Sequence, residues 1–125
     1  MTVFIDSDVL IEVLRGHDQE VLSTWRSLAG SEAALLVSPV SAAEIWAGAR
    51  ADEHVKIMKL FRVLLCTPID DDTGKQAGEY LRKFSHGHDL KIADALIAAS
   101  AARHHAALWT RDRKRYPMRE LSFYT

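Results

Sequence analysis

Four carboxylates stand where a carboxylate needs an explanation. Asp6 follows the apolar run Val3-Phe4-Ile5; a fifth acid, Asp8, stands two residues on after Ser7, and no basic residue occurs before Arg15. Asp112 lies just beyond a second apolar run, "AALWT". Glu44 has Val40, Ser41, Ala47 and Gly48 as its neighbours at helical spacing. Asp94 has Leu90, Ile97, Ala98 and Ala101, with Lys91 the one cation within helical reach. A desolvated, unpaired carboxylate costs several kcal/mol or takes up a proton. Gathered in one place, the four acids would make a strongly anionic pocket of hard oxygen atoms. Such a pocket suits Mg²⁺ or Mn²⁺, ions that keep several waters and meet a substrate phosphate. An ion of this kind activates water and stabilises the leaving oxygen in phosphodiester hydrolysis. Each acid also has an ordinary reading. Asp6, Ser7 or Asp8 can cap a helix, Asp112 can form a turn, and "SAAE" is a capping box for Glu44. A helix dipole favours an acid at the position of Asp94.

The elements that must position these residues follow from periodicity. A buried strand covers "VFI". Val9, Leu10, Val13 and Leu14 then repeat as one helix face, closed by Gly16. Asp18 caps a second helix bearing Val21, Leu22, Trp25, Leu28 and Ala29, which Gly30 ends. "AALLVS" reads as a strand, and Ser41 opens a third helix. An amphipathic helix runs from about Asp52 to Leu65, and "CTPI" is a brief strand that Pro68 places at an edge. Asp72 caps a helix carrying Ala77, Tyr80, Leu81 and Phe84, which a loop at "SHGHD" ends. The Ala-rich helix "LKIADALIAASAARHH", the strand "AALWT", the charged run "RDRKRYPMRE" and the apolar "LSFYT" complete the chain. Strands alternating with helices argue for an α/β domain with a mainly parallel central sheet and helices on both faces. One domain spans residues 1–125. Ligands of open α/β sheets bind beyond the carboxyl ends of the strands, where Asp6 and Asp112 fall.

Composition narrows the function. The chain has 125 residues, 48% of them hydrophobic, which suits one globular domain. Its formal charge of −1 rules out bulk attraction to nucleic acid, so any grip on a polyanion needs a local patch. Cys66 is the single cysteine, which excludes an internal disulfide and fits a cytoplasmic protein. No apolar run reaches a membrane-spanning length, and no secretory segment opens the chain. His86, His88, His104 and His105 lack the ligand set of a zinc site and read as surface residues. Trp25 and Trp46 read as core or dimer-interface residues.

Three stretches, "VFIDSDVLIE", "SPVSAAEIWAGAR" and "IADALIAASAARHHAALWTRD", carry a resemblance when taken in order. The set resembles the PIN-domain ribonucleases and, in length and spacing, the VapC-type toxins of type II toxin–antitoxin pairs. The likeness spans essentially the whole chain. It implies a three-layer α/β/α fold and an endoribonuclease dependent on Mg²⁺ or Mn²⁺. It also implies a homodimer held by a cognate antitoxin. The family's catalytic acids fall on Asp6, Glu44, Asp94 and Asp112, its metal ligands on Asp6, Asp94 and Asp112, and its supporting hydroxyls on Ser7 and Thr110. Two departures stand out. Asp8 replaces an uncharged small residue, and Arg115 stands before Tyr116 where the family often has an acid before an aromatic. Arg111, Arg113, Lys114 and Arg115 are candidates to grip RNA, against the simpler reading of a solvated loop or an antitoxin contact.

Two other classes fit parts of the pattern. "FIDSDVLI" resembles the D-x-D opening of haloacid-dehalogenase-type phosphatases, but Val9-Leu10 replaces their usual Gly-Thr. A non-enzymatic phosphoacceptor signalling domain has similar length, but "LLVSPVS" lacks the acceptor aspartate. With no cation among them, the four acids are expected to repel one another in the metal-free protein.

Overall fold

The strand β1 (Thr2–Ile5) is apolar on both faces, and it takes the middle of a five-stranded sheet. The computed structural model describes residues 1–125 apart from the side chain of Ser85. After β1 come α1 (Ser7–Arg15), α2 (Gln19–Ala29), β2 (Ala34–Val37), α3 (Pro39–Ala47) and α4 (His54–Arg62). The chain continues through β3 (Leu65–Cys66), α5 (Asp71–His88), α6 (Ile92–Arg103), β4 (Ala107–Trp109) and β5 (Ser122–Phe123). Every strand pair is parallel, in the order β3-β2-β1-β4-β5.

Alternation along the strands builds two cores. Phe4, Leu36 and Leu108 face α5 and α6, where they meet Ala77, Tyr80, Ala95 and Ala98. Val3, Ile5, Leu35, Val37 and Trp109 face the other way, toward Val9 and Leu10 of α1, Val21 and Leu28 of α2, and Ile57 and Leu60 of α4. The result is the three-layer α/β/α arrangement. Helix α6 is buried nearly all round by small residues, among them Ala95, Ala98, Ala99 and Ala101. Small side chains let it lie close to the sheet, which brings Asp94 near the strand ends.

Several helix ends fall where the sequence puts them. Asp18 accepts from the N–H groups of Glu20 (3.0 Å) and Val21 (3.2 Å). Gly16 closes α1 in the left-handed region, at φ 74°, with its N–H on the Glu12 carbonyl. Other boundaries differ. Ser38 caps α3 with Pro39 in the first turn, so Ser41 lies inside the helix and the expected capping box does not form. Asp70, not Asp72, caps α5, accepting from Thr73 N–H at 2.9 Å. The expected loop at "SHGHD" instead continues α5 to His88, and Asp89 closes it at φ 50°. One helical glycine costs only about 1 kcal/mol, and Phe84, packed on the core, holds the last turns in place. The helix expected from Asp52 to Leu65 is shorter, because Leu65 leaves it to pair with Leu36. Among the described residues, no helix is long and apolar enough to cross a membrane.

Two substitutions test this account by urea unfolding. Leu10→Ala empties a fully buried position and should cost about 2–5 kcal/mol. Gly16→Ala would meet no atom closer than 3.9 Å, so its cost of about 1 kcal/mol should come from the positive φ alone. A neutral Gly16→Ala would remove the left-handed cap from the argument.

Candidate active site

From β1 the chain builds β2 and β3 to one side, then returns to place β4 and β5 on the other. The reversal opens a crevice at the carboxyl ends of β1 and β4, the usual ligand position in such sheets. Asp6 follows β1 there, and its N–H donates to the Trp109 carbonyl at 2.9 Å. Its side chain is almost fully buried, and both carboxylate oxygens are occupied. Oδ1 accepts from the Ser7 N–H at 2.8 Å and so caps α1. Oδ2 accepts from Thr110 Oγ1 (2.8 Å), Tyr116 Oη (2.8 Å) and Arg115 Nη2 (2.9 Å).

Arg115 overturns the expectation of acids without a cation. It ends a short 3₁₀ turn, Arg113–Arg115, and its guanidinium lies among the carboxylates. Nη2 reaches Asp6 and also Asp8 Oδ2 (3.2 Å), Nη1 reaches Asp94 Oδ1 (3.0 Å), and Nε lies 3.6 Å from Asp112 Oδ2. Asp6, Asp8, Asp94 and Asp112 therefore do converge, with a positive charge inside the group. Asp112 is the outermost, its side chain 51% exposed. Asp8 belongs to the pocket rather than to a helix cap. Burial, reinforced by the charge of Asp6, raises its pKa to about 6, against the opposing pull of Arg115 and of the Arg111 N–H. Burial also raises Asp94, with Arg115 pulling the other way. Tyr116 was not singled out by type or spacing. Burial and the charge of Asp6 push its hydroxyl far up, so it remains a hydrogen-bond donor to Asp6.

Glu44 sits one link away. Its Oε1 accepts from Ser7 Oγ at 2.8 Å, and Ser7 Oγ lies 2.7 Å from Ser41 Oγ. A serine hydroxyl has one hydrogen, so Ser41 donates to Ser7 and Ser7 to Glu44. With the capping box unformed, Glu44 is free to face the crevice, and its charge acts on Asp94.

The basic run is mostly committed within the molecule. Arg111 bonds Glu12 Oε1 (3.1 Å) and Asp18 Oδ2 (3.2 Å). Arg113 lies over the Phe123 ring and donates to the Tyr124 carbonyl. Of the four expected RNA contacts, only Lys114 is without an ion pair or hydrogen bond among the described residues. Glu12, another residue that sequence reasoning passed over, ties this loop to the α1–α2 turn. Its Oε2 accepts from His17 N–H (2.8 Å) and Asp18 N–H (3.0 Å), which hold its carboxyl below the usual range.

A divalent cation would find suitable donors here. The oxygen atoms are hard and anionic, and Asp8 Oδ1 is buried with no hydrogen-bond partner. The spacing is another matter. Among the described residues, no three acidic, histidine or cysteine side chains surround one point closely enough to hold an ion. The acids are arranged around a guanidinium.

Residues 3–122 match the PIN domain family. The chain belongs to that family. The PIN domain is 31% identical over 119 residues to Ribonuclease VapC10 of Mycobacterium tuberculosis, covering 94% of this chain and 88% of the relative. Its fold matches chains in VapBC2 of Rickettsia felis (TM-score 0.80, 20% identity) over 99% of this chain and 98% of the other. It also matches VapBC of Salmonella typhimurium (TM-score 0.82, 12% identity) over 99% and 97% of the two chains. A toxin–antitoxin complex of Klebsiella pneumoniae is similar too, with TM-score 0.76 and 20% identity over 95% and 94%. Membership displaces both the phosphatase and the signalling-domain readings.

The position of Asp8 makes a pH prediction for the PIN domain in chelator. Its native pKa, about 6, exceeds the ordinary 3.8, so the folded state binds more protons between those values. Its contribution to stability is therefore lost as pH climbs from about 4 to about 6, by up to about 3 kcal/mol. Asp8→Asn should lack that loss and be at least as stable as the parent at pH 7. Urea unfolding of both proteins across pH isolates Asp8 from Glu12 and Asp70, whose lowered carboxyls tilt the profile the other way. Parallel profiles for the two proteins would exclude the assignment.

Proposed function

We infer that the protein is a metal-dependent endoribonuclease that serves as the toxin of a toxin–antitoxin pair and hydrolyses phosphodiester bonds in RNA. The observation that carries this reading is the convergence of Asp6, Asp94 and Asp112 at the β1–β4 crevice of a PIN domain. Those three side chains would hold Mg²⁺ or Mn²⁺, with Asp8 beside them. A divalent ion bound there supplies a water of lowered pKa and stabilises the leaving oxygen. Thr110 and Tyr116 fix the Asp6 carboxylate by donating to Oδ2, so that its orientation does not depend on the ion. Ser7 holds Glu44 at the rim, adding negative charge on the side facing Asp94. RNA is gripped lightly. Of the four candidate residues, Lys114 is the one left uncommitted among the described residues to meet phosphate, so their share of binding should weaken only shallowly with salt.

Partner surfaces fit the same reading. Trp46, Val55, Met58, Val63 and Leu65 are exposed along α3, α4 and the edge strand β3. A groove lined by Val13, Leu14, Trp25, Leu60 and Val63 adjoins them. These surfaces support a homodimer and a cognate antitoxin, in the cytoplasm where the RNA is.

Asp94→Asn keeps a side chain that can still accept from Arg115 and the Lys91 N–H. It should lower cleavage of structured RNA in Mn²⁺ by at least about a hundredfold, the upper end of what loss of a ligand's hydrogen-bonding support costs. EDTA should abolish cleavage by the parent. Chelator-resistant cleavage, or full activity in the variant, contradicts the mechanism. Sedimentation at micromolar concentration should give twice the chain mass, and a monomer across a wide concentration range contradicts the dimer.

A further inference from the structure

We propose that Arg115 is a tethered counter-ion: its guanidinium fills the cation's place among Asp6, Asp8, Asp94 and Asp112, and a divalent ion binds only by displacing it. The inference rests on reading the crevice as a metal-dependent site. Each guanidinium nitrogen faces a different part of the cluster, Nη2 toward Asp6 and Asp8, Nη1 toward Asp94, Nε toward Asp112. Asp6 and Asp8 share one nitrogen, while Asp94 and Asp112 lie off the other two, so the acids are spaced around that planar group. A small hard cation needs its oxygen ligands at about 2.0–2.1 Å in near-octahedral array. No three candidate ligands among the described residues meet that demand while the arginine is in place. The two cations cannot share the cluster.

The surroundings make the exchange feasible. Asp6 and Asp94 are 2% and 8% exposed in their side chains, whereas Arg115 is 36% exposed, so the guanidinium enters from the open side. It can withdraw into solvent without moving the core. Its backbone need not follow, because the next residue, Tyr116, is buried and pinned to Asp6. The neighbouring arginines are committed elsewhere: Arg111 is held by Glu12 and Asp18, and Arg113 lies over Phe123. Arginine stays charged at every relevant pH, so the competition is set by metal concentration and not by protonation. The guanidinium thereby offsets one of the cluster's negative charges in the metal-free protein, and the ion's apparent affinity is reduced by the work of breaking those ion pairs.

Calorimetric titration of Mn²⁺ into the full chain and into Arg115→Met and Arg115→Lys tests this directly. Methionine keeps much of the apolar stem and removes the charge. It should bind Mn²⁺ about tenfold or more tightly than the parent, since no ion pair must be broken first. Lysine, a point charge that cannot bridge all four acids, should lie between the two. On the unmutated protein, Mg²⁺ should move the Arg115 Nε–H resonance to the position of a solvent-exposed arginine. If Arg115→Met fails to fold, this titration decides alone. Equal or weaker Mn²⁺ binding by a folded Arg115→Met, or an Arg115 resonance unmoved at saturating Mg²⁺, overturns the proposal. If neither ion binds any of the proteins, the nuclease reading falls with it. Metal binding with arginine displacement but no RNA cleavage overturns the nuclease reading alone.

Discussion

A carboxylate almost wholly removed from water at the end of the central strand constrains everything around it. Asp6 is 1% exposed, and an ion so placed survives only if each lone pair is met. One oxygen is met locally, by the first N–H of α1. The other takes three donors from a segment more than a hundred residues away, Thr110, Arg115 and Tyr116. The parallel pairing of β1 with β4 makes this possible, since it sets Ile5 beside Trp109 and lets both strands end at one level. The loop after β4 must then turn back over the strand ends, which Tyr116 and Met118 achieve by inserting into the core beneath α6.

The same loop is tied down a second time, at its outer side. Arg111 spans Glu12 and Asp18, and Glu12 in turn caps the backbone of the α1–α2 turn. Structure and site therefore share residues. The charges that fix the α1–α2 turn and the charges that line the crevice are bridged by five residues of chain, from Arg111 to Arg115. That economy leaves the basic run with little positive charge to offer outward, although the sequence makes it look like a phosphate-binding arm.

Much of this was legible beforehand, for physical reasons that can be named. The strands "VFI", "ALLV" and "ALW" are short, apolar and bounded by turn residues, and the fold class follows from their alternation with helices. Asp6 and Asp112 stand out because they directly follow such strands. Asp94 stands out because no apolar helix face needs an acid. What escaped was set by tertiary contacts with no local signature. Ser38 rather than Ser41 begins α3 because Pro39 suits a first helical turn, and this changes the task of Glu44 from capping to facing the crevice. Arg115 was visible as an oddity in its position, a cation where the family resemblance calls for an acid, but its partners lie 3, 21, 107 and 109 residues away. Asp8 gave the same kind of half-signal. Tyr116 was visible only as the aromatic that the resemblance places there, and nothing in a tyrosine after an arginine announces a hydrogen bond to the sixth residue.

The pairing of β1 with β4 also fixes the order in which the molecule can fold. β1 occupies the centre of the sheet, yet one of its two neighbours lies more than a hundred residues further along the chain. Until that segment docks, β1 has only β2 beside it, Asp6 has no Thr110 and no Tyr116, and the crevice has one wall. Loop-closure entropy must be met before such distant contacts can reward it, which makes this the slow part of assembly. Before that loop docks, the acids of three elements are present but nothing arranges them, so the crevice is among the last parts of the fold to be completed.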